Sequence, residues 1–166
     1  MPNILPYNPR AAVAYAHEWA FKRNPKYGDF EDLGGDCTNF VSQCLIAGGA
    51  VMNVTKDVGW FYHSMGSRAA GWTSAAYLYK FLVNNRGRGP FGREIALEEL
   101  RPGDIVQLKF EGKSDFSHSL MVVAVDEPPA TWNIRIATHS YDCDDRPLGT
   151  YSYVSARGIR VDGVRR

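Results

Sequence analysis

This sequence has no long apolar stretch, no excess of one charge and few cysteines, and each shortage removes a class of protein. The longest purely apolar run covers residues 120–125, far short of the roughly 20 residues that a membrane-spanning helix needs. The opening segment MPNILPYNPR joins no basic region to an apolar one, so no secretory leader is expected and the site of action stays open. The 19 basic side chains stand against 18 acidic ones, a formal net charge of +1. That balance argues against a domain that grips nucleic acid through a basic face. Aromatic residues at 13% argue against disorder. With 166 residues, the chain is expected to form one domain over 1–166, and nothing in it demands more than a monomer.

Three cysteines, Cys37, Cys44 and Cys143, cannot make a disulfide framework, since an odd count leaves a free thiol. Cys37 and Cys44 fall on one expected helix, where seven residues separate them by roughly 10 Å along the axis. A disulfide tolerates less than about 7 Å between Cα atoms. No CxxC or HExxH motif occurs, so no zinc site and no cofactor are expected. No GxSxG elbow occurs either, which argues against a serine hydrolase of the strand–turn–helix type. The acidic run Asp142-Cys143-Asp144-Asp145 fails as a calcium loop, because the required glycine falls on Pro147 and the glutamate on Tyr153.

What is present divides into helices first and strands after. Asn8 reads as a helix N-cap and Pro9 as the first helical residue, with the helix ending near Asn24-Pro25. A second helix is expected over 37–47, capped by Asp36 and stopped by Gly48-Gly49. The aromatic stretch 50–72 reads as an ordered excursion. A third helix begins after Thr73 or Ser74 and ends in the breaker run 84–90. Strands are expected over 105–110, 118–125, 132–139, 150–154 and 158–161. Helices followed by a strand meander give an α+β fold with helices packed on an antiparallel sheet or half-barrel.

Chemistry concentrates at Cys37. A thiol in the first turn of a helix meets free N–H groups and partial positive charge, which is expected to lower its pKa and aid attack on a carbonyl. Such a nucleophile needs a base, and the base needs an orienting partner. His118 opens one strand and His139 closes another. A hairpin symmetric about Pro128-Pro129 would set the two imidazoles side by side. His118 would then take the thiol proton and His139 would fix its tautomer, with Thr138, Ser140 or Asp142 as other candidates for the orienting group. Tyr27, ten residues before Cys37, is a candidate hydroxyl near the oxyanion. Trp60 and Trp72 are candidates to line a groove for a glycan or peptide. Cys44, Cys143, His17 and His63 read as structural or solvated.

The segments Gly34-Gly35-Asp36-Cys37-Thr38-Asn39-Phe40-Val41-Ser42-Gln43-Cys44-Leu45, Arg101-Pro102-Gly103-Asp104-Ile105-Val106-Gln107-Leu108, His118-Ser119-Leu120-Met121-Val122-Val123 and Thr138-His139-Ser140-Tyr141-Asp142 resemble, in this order, the bacterial putative amidase domain family. That family is similar to the NlpC-type cell-wall peptidases. The resemblance implies a papain-like fold with Cys37 as nucleophile, His118 as base and His139 as third polar residue. It also implies that Asp36 meets the substrate amine. The expected activity is a cysteine hydrolase cleaving an amide bond through a thioester, with peptidoglycan or a peptide as substrate. The chain departs from the NlpC-type pattern in carrying Asp-Cys-Thr-Asn-Phe where Asp-Cys-Ser-Gly-Phe is usual. Two other readings are an intracellular cysteine peptidase or tailoring hydrolase, and a wall-binding module without turnover. EDTA should leave the hydrolase active.

Overall fold

A computed structural model describes residues 3–166; the first two residues of the opening segment and of the expected 1–166 domain lie outside them. The short strand β1 (Ile4–Leu5) leads into α1 (Pro9–Trp19), and α2 (Cys37–Ala47) follows a turn-rich segment. The small hairpin β2 (Tyr62–Ser64) and β3 (Ser67–Arg68) precedes the short α3 (Ala70–Thr73) and α4 (Ala75–Asn84). The remaining strands are β4 (Gly89–Ile95), β5 (Ile105–Lys109), β6 (His118–Val125), β7 (Ile134–Thr138), β8 (Cys143–Pro147) and β9 (Ser155–Arg165). Seven strands form one antiparallel sheet in the order β1-β9-β5-β6-β7-β8, with β4 also paired to β9. The fold is mixed α+β, with an antiparallel sheet. No described helix is long and apolar enough to cross a membrane.

Local chemistry explains the helix ends. The Asn8 side chain accepts from the Ala11 amide at 3.1 Å, with Pro9 just inside the helix. The α1 helix stops at Trp19, short of the expected Asn24-Pro25, and a turn carries the chain onward. At the end of α2, Gly48 N–H donates to Cys44 O, and Gly49 takes the left-handed φ of 98° that favours glycine. Ser74 caps α4 by accepting from Tyr77 N–H at 3.4 Å.

Both faces of β6 are buried, which is why its sequence is apolar without alternation. Met121 and Val123 join the core beneath the helices, with Val41, Leu45 and Leu78. Leu120 and Val122 face a second core with Leu108, Ile136 and Leu148. Two strands differ from expectation. Residues 143–147 form β8, whose Asp144, Asp145 and Arg146 are tolerated because it is an edge strand, half exposed along its length. Residues 89–95 form β4 in what reads as a breaker run, and 150–154 lies before β9 rather than forming a strand of its own.

The hairpin β6–β7 is not symmetric about Pro128-Pro129. Its pairs are Val125↔Ile134 and Ala124↔Arg135 near the loop, and a bulge between Val122 and Ala124 moves the register to Met121↔Ala137. Carrying that register on two residues sets His139 across from Ser119, one step away from His118. Since faces alternate, the two histidines lie on opposite sides of the sheet. His118 pairs with Leu108 on the second-core face. His139 stacks on Phe40 of α2 at 4.3 Å, on the helix face.

Candidate active site

The first nine residues of α2 are all buried, including Thr38, Asn39, Ser42 and Gln43. Buried polar groups require partners, and each of these has one. Thr38 Oγ1 and Ser119 Oγ share a hydrogen bond of 2.9 Å. Asn39 Nδ2 donates to Gly28 O and to Asp36 Oδ1, while its Oδ1 accepts from Trp72 Nε1 at 2.7 Å. Ser42 Oγ accepts from Trp60 Nε1 and donates to Trp72 O, both at 3.0 Å. Gln43 Oε1 accepts from the Tyr15 hydroxyl. These bonds give Trp60 and Trp72 a role different from the expected groove: both indoles are fully buried and anchor the helix. Tyr27 is half-buried against Trp72 and Tyr62, with centroids 5.8 and 5.5 Å away, and packs with the core.

Asp36 stands just before α2 but does not cap it, and no side-chain cap bond is present. Its carboxylate turns back instead. Oδ1 accepts from Phe30 N–H and Asn39 Nδ2, both at 2.8 Å, and Oδ2 meets His139 Nδ1 at 2.5 Å. Arg23 Nε lies 3.5 Å from the same Oδ2. Asp36 is fully buried with its lone pairs engaged, which corrects the expectation that it contacts a substrate amine. His139 is corrected too. Its Nε2 donates to Trp19 O at 2.8 Å, so both ring nitrogens are occupied and neither bonds to His118. His139 ties α1, α2 and β7 together.

With Asp36 diverted, the first turn of α2 is uncapped, and the Cys37 N–H has no partner among the described residues. The Cys37 thiol is buried, 3.9 Å from Ser117 O and 3.8 Å from Thr38 Oγ1. Burial pushes its pKa up, and hydrogen bonds from the Ser119 and Thr38 backbone and the Thr38 side chain only partly oppose this; the Asp36 charge adds to the rise. The expected lowering by the helix terminus is therefore outweighed, and the resting group is a thiol.

His118 follows Ser117 directly and is buried, yet its ring makes no hydrogen bond. It sits among aromatic neighbours, with Phe110 at 6.2 Å and Tyr151 at 5.8 Å between centroids. Burial, helped by the nearby Arg146 charge, pushes its pKa down to about 4, so the ring is neutral at pH 7. It opens into a cavity of about 470 Å³ lined also by Ser117, Ser140, Tyr141, Arg146 and Tyr151. Ser140 links this wall to the helix start, since its Oγ accepts from Asp36 N–H at 2.9 Å. The backbone is left-handed at Ser140 and Tyr141, with φ of 61° and 64°, a conformation uncommon outside glycine. Cys37 and His118 thus meet the same end of β6, but no hydrogen bond joins them. Sequence reasoning did not anticipate Tyr141, Arg146 and Tyr151 at the cavity. The available signal was Arg146, closing an acidic run. Among the described residues no group of three or more His, Cys, Asp or Glu could hold a metal ion.

Residues 6–161 match the family described as "Putative amidase domain". The chain is also 40% identical, over 123 residues, to the "Uncharacterized protein YhbB" of Bacillus subtilis (strain 168). That similarity covers 73% of this chain and 38% of the relative, so the chain spans well under half the relative's length. No solved structure matches. The chain belongs to the putative amidase domain family, and that membership points to amide hydrolysis.

Proposed function

We propose that this member of the putative amidase domain family is a cysteine hydrolase of papain-like, NlpC-like arrangement whose nucleophile is Cys37. The observation that carries this reading is the uncapped start of α2. Each polar side chain along the buried helix has a hydrogen-bond partner, while the amide at the thiol has none among the described residues. Cys37 Sγ attacks the carbonyl carbon, and the new oxyanion accepts from the Cys37 N–H. His118 takes the thiol proton and delivers it to the leaving nitrogen as the C–N bond breaks. Water then attacks the thioester, releasing the carboxylic acid and restoring the thiol. A neutral imidazole and a neutral thiol fit a base that acts during attack rather than a preformed ion pair. Since no hydrogen bond joins the two side chains, His118 must turn to meet the thiol when substrate enters.

The substrate class is bacterial peptidoglycan, cut at the glycan–peptide amide or within the stem peptide. The observation that favours a second reading, a wall-binding module without turnover, is the absence of a bond between Cys37 and His118. Mass spectrometry of fragments released from purified peptidoglycan tests both. Wild type should release fragments whose masses show one water added for each amide bond cut, and Cys37→Ala and His118→Ala should release none. Equal release by Cys37→Ala would end the thiol mechanism. Cosedimentation with the wall without release by wild type would leave the binding module.

A further inference from the structure

Residues 142–147, which lead into and form β8, carry three aspartates and one arginine; each aspartate meets a basic side chain, while the arginine meets no carboxylate among the described residues. Asp142 receives Arg23 at 2.8 Å. Asp144 meets His17 Nδ1 at 2.7 Å, and Asp145 meets Arg135 at 3.4 Å. Each acid is therefore directed to a basic side chain from elsewhere in the chain. Arg146, beside them in sequence, has no carboxylate within ion-pair distance among the described residues. Its guanidinium is nevertheless held in place. Nε donates to Thr150 Oγ1 at 2.6 Å, Nη2 donates to Thr150 O at 3.3 Å, and the group lies 3.7 Å over the Tyr151 ring. Nη1 has no partner among the described residues. Holding an arginine by one edge and one face leaves its other edge ready for a planar, charged acceptor.

This arginine lines the cavity that contains His118. The cavity is of a size that takes a dipeptide-like group, and no carboxylate and no other guanidinium or ammonium group lines it. We propose that it is a carboxylate-binding subsite. Arg146 would hold an acidic group of the substrate beside the scissile amide, and the aromatic rings of Phe110, Tyr141 and Tyr151 would pack on the intervening carbons. The proposal rests on reading this cavity as the active site, and it narrows the substrate class to acid-bearing peptides. It also couples binding to chemistry, because a bound carboxylate offsets the Arg146 charge that disfavours protonation of His118. The acid group thus makes the base stronger only when substrate is present.

The test follows the His118 ring by NMR in the Cys37→Ala protein, which cannot turn over through the thiol. The probes are N-acetylalanylglutamate and its uncharged diamide, with inorganic phosphate as a third. The acid should bind about tenfold more tightly than the diamide, as expected for hydrogen bonds to a charged group, and should raise the His118 pKa. In Arg146→Gln on the same background that preference should fall to about one, and Arg146→Lys should restore part of it. Equal affinity for acid and diamide, no His118 response to the acid, or a preference that survives Arg146→Gln would overturn the subsite. So would phosphate binding more tightly than the acid. The acid-over-diamide comparison needs no arginine variant, so a misfolded Arg146→Gln would not rescue the idea. An acid preference here alongside inert wild type on peptidoglycan would retain the subsite and remove the hydrolase reading. The reverse pattern would remove the subsite alone.

Discussion

Two histidines stand at the same end of the sheet, one ladder step apart, and meet opposite surroundings. His139 faces the helices with both ring nitrogens bonded, one to Asp36 and one to Trp19 O. His118 faces the other way with neither nitrogen bonded, between aromatic rings and an open cavity. The helix side is a closed lattice in which the side chains of Asp36, Asn39 and Ser42 have their hydrogen-bonding groups engaged and Gln43 Oε1 accepts from Tyr15. Such a lattice fixes position and has nothing left to offer a ligand. The cavity side is the reverse: a buried imidazole and an arginine edge await partners that the fold does not supply. The comparison assigns the signature around Cys37 mostly to holding α2 in place, and the capacity for binding to the far face.

The largest expected effect breaks the closed side. Asp36→Ala would strand His139 Nδ1, Phe30 N–H and Asn39 Nδ2 at once. Removing one partner of a buried, paired charge costs about 3–5 kcal/mol, so urea unfolding should show a loss of that order. A loss below about 1 kcal/mol would mean that the lattice is not closed as described. On the open side, His118→Phe replaces an unbonded polar ring with an apolar one. It should leave stability within about 1 kcal/mol of wild type, even though activity is lost.

Acid titration separates the two histidines by a second route. The folded-state pKa of His118 is about 4, below the ordinary 6.5. The unfolded chain therefore binds a proton at this residue between those values while the folded chain refuses it. Stability from this group is complete above about pH 6.5, falls as pH drops and levels off below about pH 4. The total, for a pKa lowered from 6.5 to about 4, is about 3 kcal/mol. Unfolding measured from pH 7 to 4 should show that slope in wild type and lose it in His118→Phe. An unchanged slope would place the acid sensitivity elsewhere. A smaller effect belongs to the lattice: Ser42→Ala would leave Trp60 Nε1 without its acceptor and should cost about 1–3 kcal/mol.

How much of this was legible in the sequence differs between the two sides. The bounds of α2 follow from Asp36 and Gly48-Gly49, because cap and stop chemistry is local. The burial of β6 on both faces follows from its unbroken apolar run. The pairing of His118 with His139 failed because the hairpin is not symmetric about Pro128-Pro129 even at the loop, where Val125 meets Ile134, and a bulge after Val122 then moves the register by one residue, which changes the face. No periodicity reveals a bulge. The strand β8 was hidden because Asp144, Asp145 and Arg146 carry no apolar alternation, and the partners of the two aspartates, His17 and Arg135, come from distant parts of the chain. Trp60 and Trp72 were placed in a groove because aromatic density does not distinguish a lining from an anchor. Only their bonds to Ser42 and Asn39 decide it.

The thiols give the last and smallest contrast. A helix N-terminus argues for a reactive Cys37, yet burial and the Asp36 charge raise its pKa. Iodoacetamide attacks the thiolate, so Cys37 should label more slowly at pH 7 than a free thiol, and faster as pH rises. The half-buried Cys143 should label ahead of the fully buried Cys44, whose pKa burial raises further. Rapid labelling of Cys37 near pH 6 would mean that His118 already holds its proton in the free protein, and that the two sides of the sheet are joined before substrate arrives. Slow labelling that accelerates when N-acetylalanylglutamate is added would carry the opposite meaning. The closed side would then hold the nucleophile dormant, and a charge bound at Arg146 on the open side would bring its base into play.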